Sequence, residues 1–76
     1  MTSSALLREA GEALYGPLWQ SELARALGVN DRTVRRWMAG VNAIPAGVWE
    51  ELAPLMSARC RLIDEVWSRL PRGDRP

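Results

Sequence analysis

The chain has no histidine and no lysine, and it contains a single cysteine, Cys60. Without histidine it lacks both the usual general base near neutral pH and the commonest zinc ligand. One cysteine excludes an intrachain disulfide and a cysteine-based metal cluster. The one tyrosine lies in an apolar helical pattern, and Asp64 and Glu65 fit a solvated helix face better than a catalytic pair. We therefore expect neither an enzyme nor a bound metal or other cofactor.

Long apolar runs and a strong net charge are also missing. No run reaches the roughly 20 residues that a membrane-spanning helix needs, and no signal-peptide pattern precedes the first predicted helix. These absences predict a cytoplasmic protein with no membrane partner. The net charge is +1 over 76 residues, so no global basic field indicates nucleic acid. Every basic residue is arginine, which suits bidentate contact with guanine and phosphate, although a GC-rich genome would produce the same bias.

The most informative stretch is residues 20–40, which predicts two short helices joined by a turn at residues 28–30. Gly28 suits this turn because it has no β-carbon. Asn30 is a good N-cap for the second helix, since its side chain can accept a hydrogen bond from a first-turn N–H group. Gly40 suits the end of that helix, which we place at residues 31–39.

The second of these helices has two different faces. Val34, Trp37 and Met38 fall at i, i+3 and i+4 and form an apolar face. At about 100° per residue, the arginines of this helix point away from that face. They are Arg32, Arg35 and Arg36.

Two helices joined by a three-residue turn, the second displaying arginines, have the outline of a helix-turn-helix. The stretch resembles the helix-turn-helix of phage repressors of the Cro and lambda-repressor type, with Trp37 where many members carry isoleucine or valine. The resemblance implies a compact, all-α bundle of four or five helices that binds double-stranded DNA sequence-specifically. It also implies a transcriptional regulator, a repressor of its own operon, with helix 31–39 in the major groove; an anti-CRISPR-associated repressor is one such case. The matching positions are Gln20, Leu23, Ala24, Leu27, Gly28, Val29, Thr33, Val34, Trp37 and Gly40.

The candidate DNA contacts follow from side-chain chemistry and from the resemblance. Arg32 and Arg36 lie on the outward line of the helix and can bind guanine O6 and N7, and the family's base-reading positions coincide with these two and Asp31. Asp31 has two interpretations: it accepts from a cytosine amine, or it caps the helix and orients Arg35. Gln20 matches the family residue that grips a phosphate. The expected phosphate contacts are Gln20, Thr33, Arg35 and Asn42.

The residues before this unit predict a first helix over 4–15, ended by Gly16 and Pro17. Gly11 inside this helix is unfavourable by roughly 1 kcal/mol relative to alanine, which indicates close approach by another helix. Leu18 and Trp19 are expected in the core or at its edge. The expected inner side of the first helix comprises Ala5, Leu6, Ala10, Ala13 and Leu14, with Leu7 undecided.

The C-terminal part predicts one helix that ends near residues 51–52 and a last one over 54–70, because Pro54 interrupts the pattern. The last helix carries an apolar stripe longer than one small domain can cover. It either packs on the first helix or joins two copies, and we expect a homodimer, since a palindromic operator is read by a two-fold dimer. Residues 1–70 thus form one domain and 71–76 a flexible tail. The expected dimer interface is Leu62, Ile63, Val66, Trp67 and Leu70.

The same residues are also compatible with a different class of function. The near-neutral charge and the apolar C-terminal stripe also fit a protein-interaction module, antitoxin-like or inhibitor-like, that uses this fold without DNA. DNA retention that weakens with salt would distinguish the two classes, because contacts to phosphate release counterions.

Overall fold

A computed structural model describes residues 3–71, and over this range the chain forms four α-helices and no strand. This confirms the all-helical fold class. The predicted tail lies outside the described residues except for Pro71. The helices are α1 (Ser3–Tyr15), α2 (Trp19–Leu27), α3 (Asp31–Met38) and α4 (Ala46–Arg69).

The buried side of α1 follows Leu7, Gly11 and Leu14, at i, i+4 and i+7. The predicted inner side of α1 was therefore centred on the wrong residues, because Leu6 is 45% exposed and Ala13 is exposed as well. The apolar pattern did not reveal the buried side because Gly11, at its middle, has no side chain to mark it. A β-carbon there would lie within 2.9 Å of three atoms of the Trp19 indole, so the glycine lets α2 approach α1.

The connection from α1 to α2 explains why Leu18 and Trp19 differ in solvent exposure. Gly16 adopts φ 84° and ends α1 as predicted. Leu18 comes before the first turn of α2, and its side chain is 86% exposed, so the prediction that it lies in the core or at its edge was wrong. Trp19 is the first residue of the helix and is only 3% exposed, as predicted.

The core lies between α1, α2, α3 and the first half of α4. Its largest fully buried side chains come from three different helices: Leu7, Leu23 and Val34. All the helices therefore depend on one small apolar centre. The remaining buried hydrophobic residues are Leu14, Trp19, Ala24, Trp37, Val48 and Leu52.

α4 continues through Pro54, so the predicted break at this residue was wrong. Proline removes the hydrogen bond to Glu50, but both residues are exposed and water can satisfy the carbonyl. Buried Leu52 and half-buried Leu55 and Met56 lie on either side of the proline and pack on the same core. Packing on both sides thus keeps the helix continuous.

The second half of α4 extends beyond the core. Residues 60–71 are all exposed, and the chain measures 53 Å along its longest axis against 22 and 20 Å across. Its radius of gyration is 15.3 Å, whereas a compact domain of this length has about 11 Å. None of the helices within residues 3–71 combines the length and the apolar character required to cross a membrane.

Candidate nucleic-acid interface

The α2–α3 pair is joined by residues 28–30, and backbone hydrogen bonds hold this connection. Gly28 adopts φ 74° and ends α2, and the Val29 N–H donates to the Ala24 carbonyl at 2.9 Å. Asn30 is the N-cap of α3, as predicted. Its Oδ1 accepts from the backbone N–H and the hydroxyl of Thr33, each at 2.9 Å. The local sequence therefore sets where α3 begins and how it leaves the turn.

α3 is buried on one side and carries arginines on the other. Val34 and Trp37 are 0% and 5% exposed, and Met38 is half-buried against the same core. The apolar side predicted from the spacing is confirmed. All three arginines of the helix are exposed, namely Arg32, Arg35 and Arg36.

Asp31 connects α3 to α2. Its Oδ2 accepts a hydrogen bond from the Ser21 hydroxyl at 2.7 Å. This contact lies at the N-terminal ends of both helices and fixes one against the other. Neither interpretation of Asp31 anticipated Ser21 as its partner, because no rule of spacing relates two residues across a turn whose geometry is unknown.

Arg36 is held by the loop that follows α3. Its Nε donates to Asn42 Oδ1 at 2.9 Å. The loop folds back because Gly40 adopts φ 77° and the Val41 N–H donates to the Arg36 carbonyl at 3.0 Å. Asn42, predicted as a phosphate contact, thus uses its carbonyl oxygen to hold Arg36, while the two terminal nitrogens of the guanidinium stay available for an outside acceptor.

The start of α2 offers a second feature. Gln20 is half-buried in the first turn, and Leu18 at the N-cap position provides no side-chain acceptor for the first-turn N–H groups. An open concavity of about 290 Å³ lies here, lined by Pro17, Leu18, Gln20 and Ser21. N–H groups at a helix start attract anions. Because Ser21 also binds Asp31, this concavity adjoins the start of α3.

The positive charge of this region is largely unneutralised. Arg25 pairs with Glu22 at 3.0 Å on the exposed side of α2. Within residues 3–71, the guanidinium groups of Arg32 and Arg35 make neither an ion pair nor a hydrogen bond. Residues 16–42 carry four arginines and two carboxylates, a net +2, so the modest excess of positive charge lies on the α2–α3 pair.

The five residues expected at a dimer interface share one exposed face of α4. They line a shallow apolar groove of about 300 Å³ beyond the core. None of these five side chains is buried, whereas Arg59, earlier in α4, contacts the Tyr15 ring of α1. Their exposed fractions are Leu62 51%, Ile63 57%, Val66 43%, Trp67 54% and Leu70 47%.

Comparisons with protein-family models, with curated proteins and with solved structures found nothing that matches this chain.

Proposed function

We propose that the protein is a transcriptional regulator that binds double-stranded DNA sequence-specifically and represses its own operon. In this proposal α2 and α3 form a helix-turn-helix, and α3 lies in the major groove. The observation that carries it is the outward side of α3, where three exposed arginines stand on a short helix whose other side is in the core. A major groove about 12 Å wide admits such a helix.

Arg32 and Arg36 are the proposed base contacts. They lie four residues apart on the outward line of α3 and are both exposed. An arginine can donate two parallel hydrogen bonds to guanine O6 and N7. The Asn42 contact supports Arg36 in particular, because a side chain held at Nε loses less conformational freedom when its terminal nitrogens bind.

The proposed phosphate contacts surround this helix. Gln20 and the first-turn N–H groups of α2 provide one, and Thr33, Arg35 and the Asn42 amide group provide others. Such contacts set the position of the protein on DNA and carry little sequence preference. Asp31 is proposed mainly to hold α3 against α2 through Ser21, with its second carboxylate oxygen left to accept from a cytosine amine.

A homodimer completes this proposal. A palindromic operator is read by two copies related by a two-fold axis. The exposed apolar face of α4 supports association, because a contiguous apolar patch of a few hundred Å² on a protein surface is often a functional one.

A gel-shift experiment with the DNA upstream of the gene tests the DNA-binding proposal, with a randomised duplex library as a second source of sites. We expect a specific shift that weakens with added salt. Arg36→Ala and Arg32→Ala should each weaken cognate binding by about 1–3 kcal/mol and relax base preference. Arg61→Ala removes the same charge from an exposed position of α4 outside the apolar face and should bind like wild type. Equal losses in all three variants, or no selected sequence from the library, would overturn the proposal.

Gln20→Ala provides the complementary test of a phosphate contact. We expect it to weaken binding to cognate and scrambled duplexes by the same factor, because a phosphate contact does not distinguish bases. A loss confined to the cognate duplex would contradict this role.

A protein-interaction module without DNA binding is the second candidate. The exposed apolar face of α4 and the net charge of +1 favour it. It predicts no salt-dependent DNA retention and a binding partner whose affinity depends on the α4 face and not on Arg36.

A further inference from the structure

We propose that α3 recognises two G·C pairs with one base pair between them, and that it discriminates more strongly at the pair bound by Arg36 than at the pair bound by Arg32. The proposal rests on the DNA-binding function above and specifies the class of half-site that this function would recognise. Its basis is a difference between two arginines that share a helix, a direction and an exposed position but differ in their contacts.

Arg32 and Arg36 project from α3 in similar directions. At about 100° per residue the two side chains lie about 40° apart around the helix axis, and buried Val34 and Trp37 occupy the other side of the helix. Their Cα atoms are four residues apart, which corresponds to about 6 Å along the axis. Both guanidinium groups are therefore presented to the same short stretch of a groove.

The two arginines need two different base pairs. One guanine presents a single O6 and N7 pair in the major groove, so it cannot accept two parallel hydrogen bonds from each of two guanidinium groups. The like charges of these groups also oppose a shared position. Base pairs are stacked about 3.4 Å apart. In a helix that follows the groove, an axial separation of about 6 Å is therefore closest to two base-pair steps.

The loop after α3 fixes Arg36 through both its side chain and its backbone. Arg36 Nε donates to Asn42 Oδ1 at 2.9 Å. The Arg36 carbonyl accepts from the N–H groups of Val41 at 3.0 Å and of Asn42 at 3.4 Å, which keeps the Asn42 acceptor beside the guanidinium. Because Nε is used, the two terminal nitrogens are the donors left for guanine O6 and N7.

Arg32 has no comparable support. In the described part of the chain, residues 3–71, its guanidinium makes neither an ion pair nor a hydrogen bond. The neighbouring carboxylate, that of Asp31, accepts from the Ser21 hydroxyl of α2 at 2.7 Å through its Oδ2. Arg32 therefore loses more conformational freedom than Arg36 when its terminal nitrogens bind a base.

This difference in ordering predicts unequal discrimination. At a wrong base pair an arginine neither forms its two hydrogen bonds nor becomes ordered. Discrimination at a correct pair is thus the free energy of the two bonds minus the cost of ordering the side chain, and this cost is smaller for Arg36. Ordering one long side chain corresponds to roughly two- to tenfold in affinity. We expect discrimination at the Arg36 pair to exceed that at the Arg32 pair by this factor.

Selection from a randomised duplex library, followed by affinity measurements on every single base-pair change in the selected half-site, tests the proposal. We expect two G·C pairs separated by one base pair, with the larger loss at one of them. Arg36→Ala should remove the preference at the stronger position alone, and Arg32→Ala should remove it at the weaker position alone. These variants assign each arginine to its base pair.

Asn42→Ala tests the origin of the inequality. It should lower discrimination at the stronger position to about that of the weaker position and leave the weaker position unchanged. Val41→Ala, which alters a 60% exposed side chain in the same loop, should leave both positions unchanged. An Asn42→Ala protein that binds all duplexes more weakly by one factor, with the inequality intact, would overturn the proposed effect of Asn42 on Arg36.

Duplexes that contain 7-deazaguanine give a test on the wild-type protein. This base lacks the N7 acceptor and still pairs with cytosine, so it removes one of the two proposed hydrogen bonds from DNA rather than from the protein. Substitution at the stronger position should weaken wild-type binding and have almost no effect on Arg36→Ala binding. Equal losses in both proteins would show that Arg36 does not bind this guanine and would overturn the assignment.

The half-site and the proposed function can fail separately. A selected half-site without G·C pairs at this spacing, or with equal discrimination at the two pairs, would overturn the half-site and leave sequence-specific DNA binding standing. If the library yields no selected sequence, the proposed function is overturned, and the half-site with it.

Discussion

The contact between Asn42 and Arg36 shows how a loop residue can orient a side chain on the neighbouring helix. Asn42 lies in the loop after α3, and its Oδ1 accepts from Arg36 Nε. Both side chains are exposed, so the hydrogen bond contributes little to folding stability. Under the proposed function this hydrogen bond matters for DNA binding, because it restricts the direction in which the Arg36 guanidinium points.

Asn42→Ala should therefore weaken cognate DNA binding by about 1 kcal/mol, through the loss of this orientation. In an Arg36→Ala background the same change should have almost no effect, since the residue that it orients is gone. Fluorescence anisotropy on cognate and scrambled duplexes measures this double-mutant cycle. Val41→Ala, an adjacent substitution at a 60% exposed side chain, is the control. If Asn42 acted only through phosphate, its loss would weaken binding by the same amount in both backgrounds.

At the scale of the helices, the packing of α1 against α2 depends on their close approach at Gly11. The Trp19 indole fills the space that a β-carbon at Gly11 would need. The glycine lowers the helix propensity of α1, but it allows a large aromatic side chain to enter the core. Packing between elements therefore outweighs local propensity here.

Gly11→Ala should lower the free energy of unfolding by about 1–3 kcal/mol, because the clash with Trp19 exceeds the gain in helix propensity. Gly47→Ala is the matched control: Gly47 lies in α4 with nothing within 4 Å of its would-be β-carbon. There the same change should raise the free energy of unfolding by up to about 1 kcal/mol. Urea denaturation followed by circular dichroism measures both. A stabilised Gly11→Ala protein would show that the indole moves aside without cost.

At the scale of the whole molecule, α4 has two environments on one continuous helix. Its first half closes the core through Val48 and Leu52, and its second half exposes an apolar face. The first half thus contributes to the stability of the fold, and the proposed association of copies would depend on the second half. A change in the second half should alter association while leaving the fold intact.

Trp67→Glu should therefore shift the protein to monomer with little change in the urea midpoint, since Trp67 is 54% exposed. Operator affinity should fall through the loss of the dimer, while the affinity for a single half-site stays the same. Ser68→Glu adds a charge one residue away on the opposite side of the helix and should stay dimeric. Analytical ultracentrifugation separates these outcomes, and a Trp67→Glu protein that sediments like wild type would remove this residue from the interface.

The sequence by itself determined the features that depend on local backbone sterics and on helical period. The left-handed glycines at 16, 28 and 40, the Asn30 cap and the apolar side of α3 are all where the residues predict them. Each follows from interactions within a few residues, so no knowledge of distant contacts is needed.

Only the tertiary structure decided the features that depend on contacts between different helices and loops. The inner side of α1 centres on Gly11 because Trp19 packs there, and α4 passes through Pro54 because both of its neighbouring turns pack on one core. Asp31 binds Ser21, and Asn42 binds Arg36, since the turn and the loop bring them within hydrogen-bond distance. A pattern along the chain records which residues are apolar or polar, but the partner of each is set by the packing of whole helices.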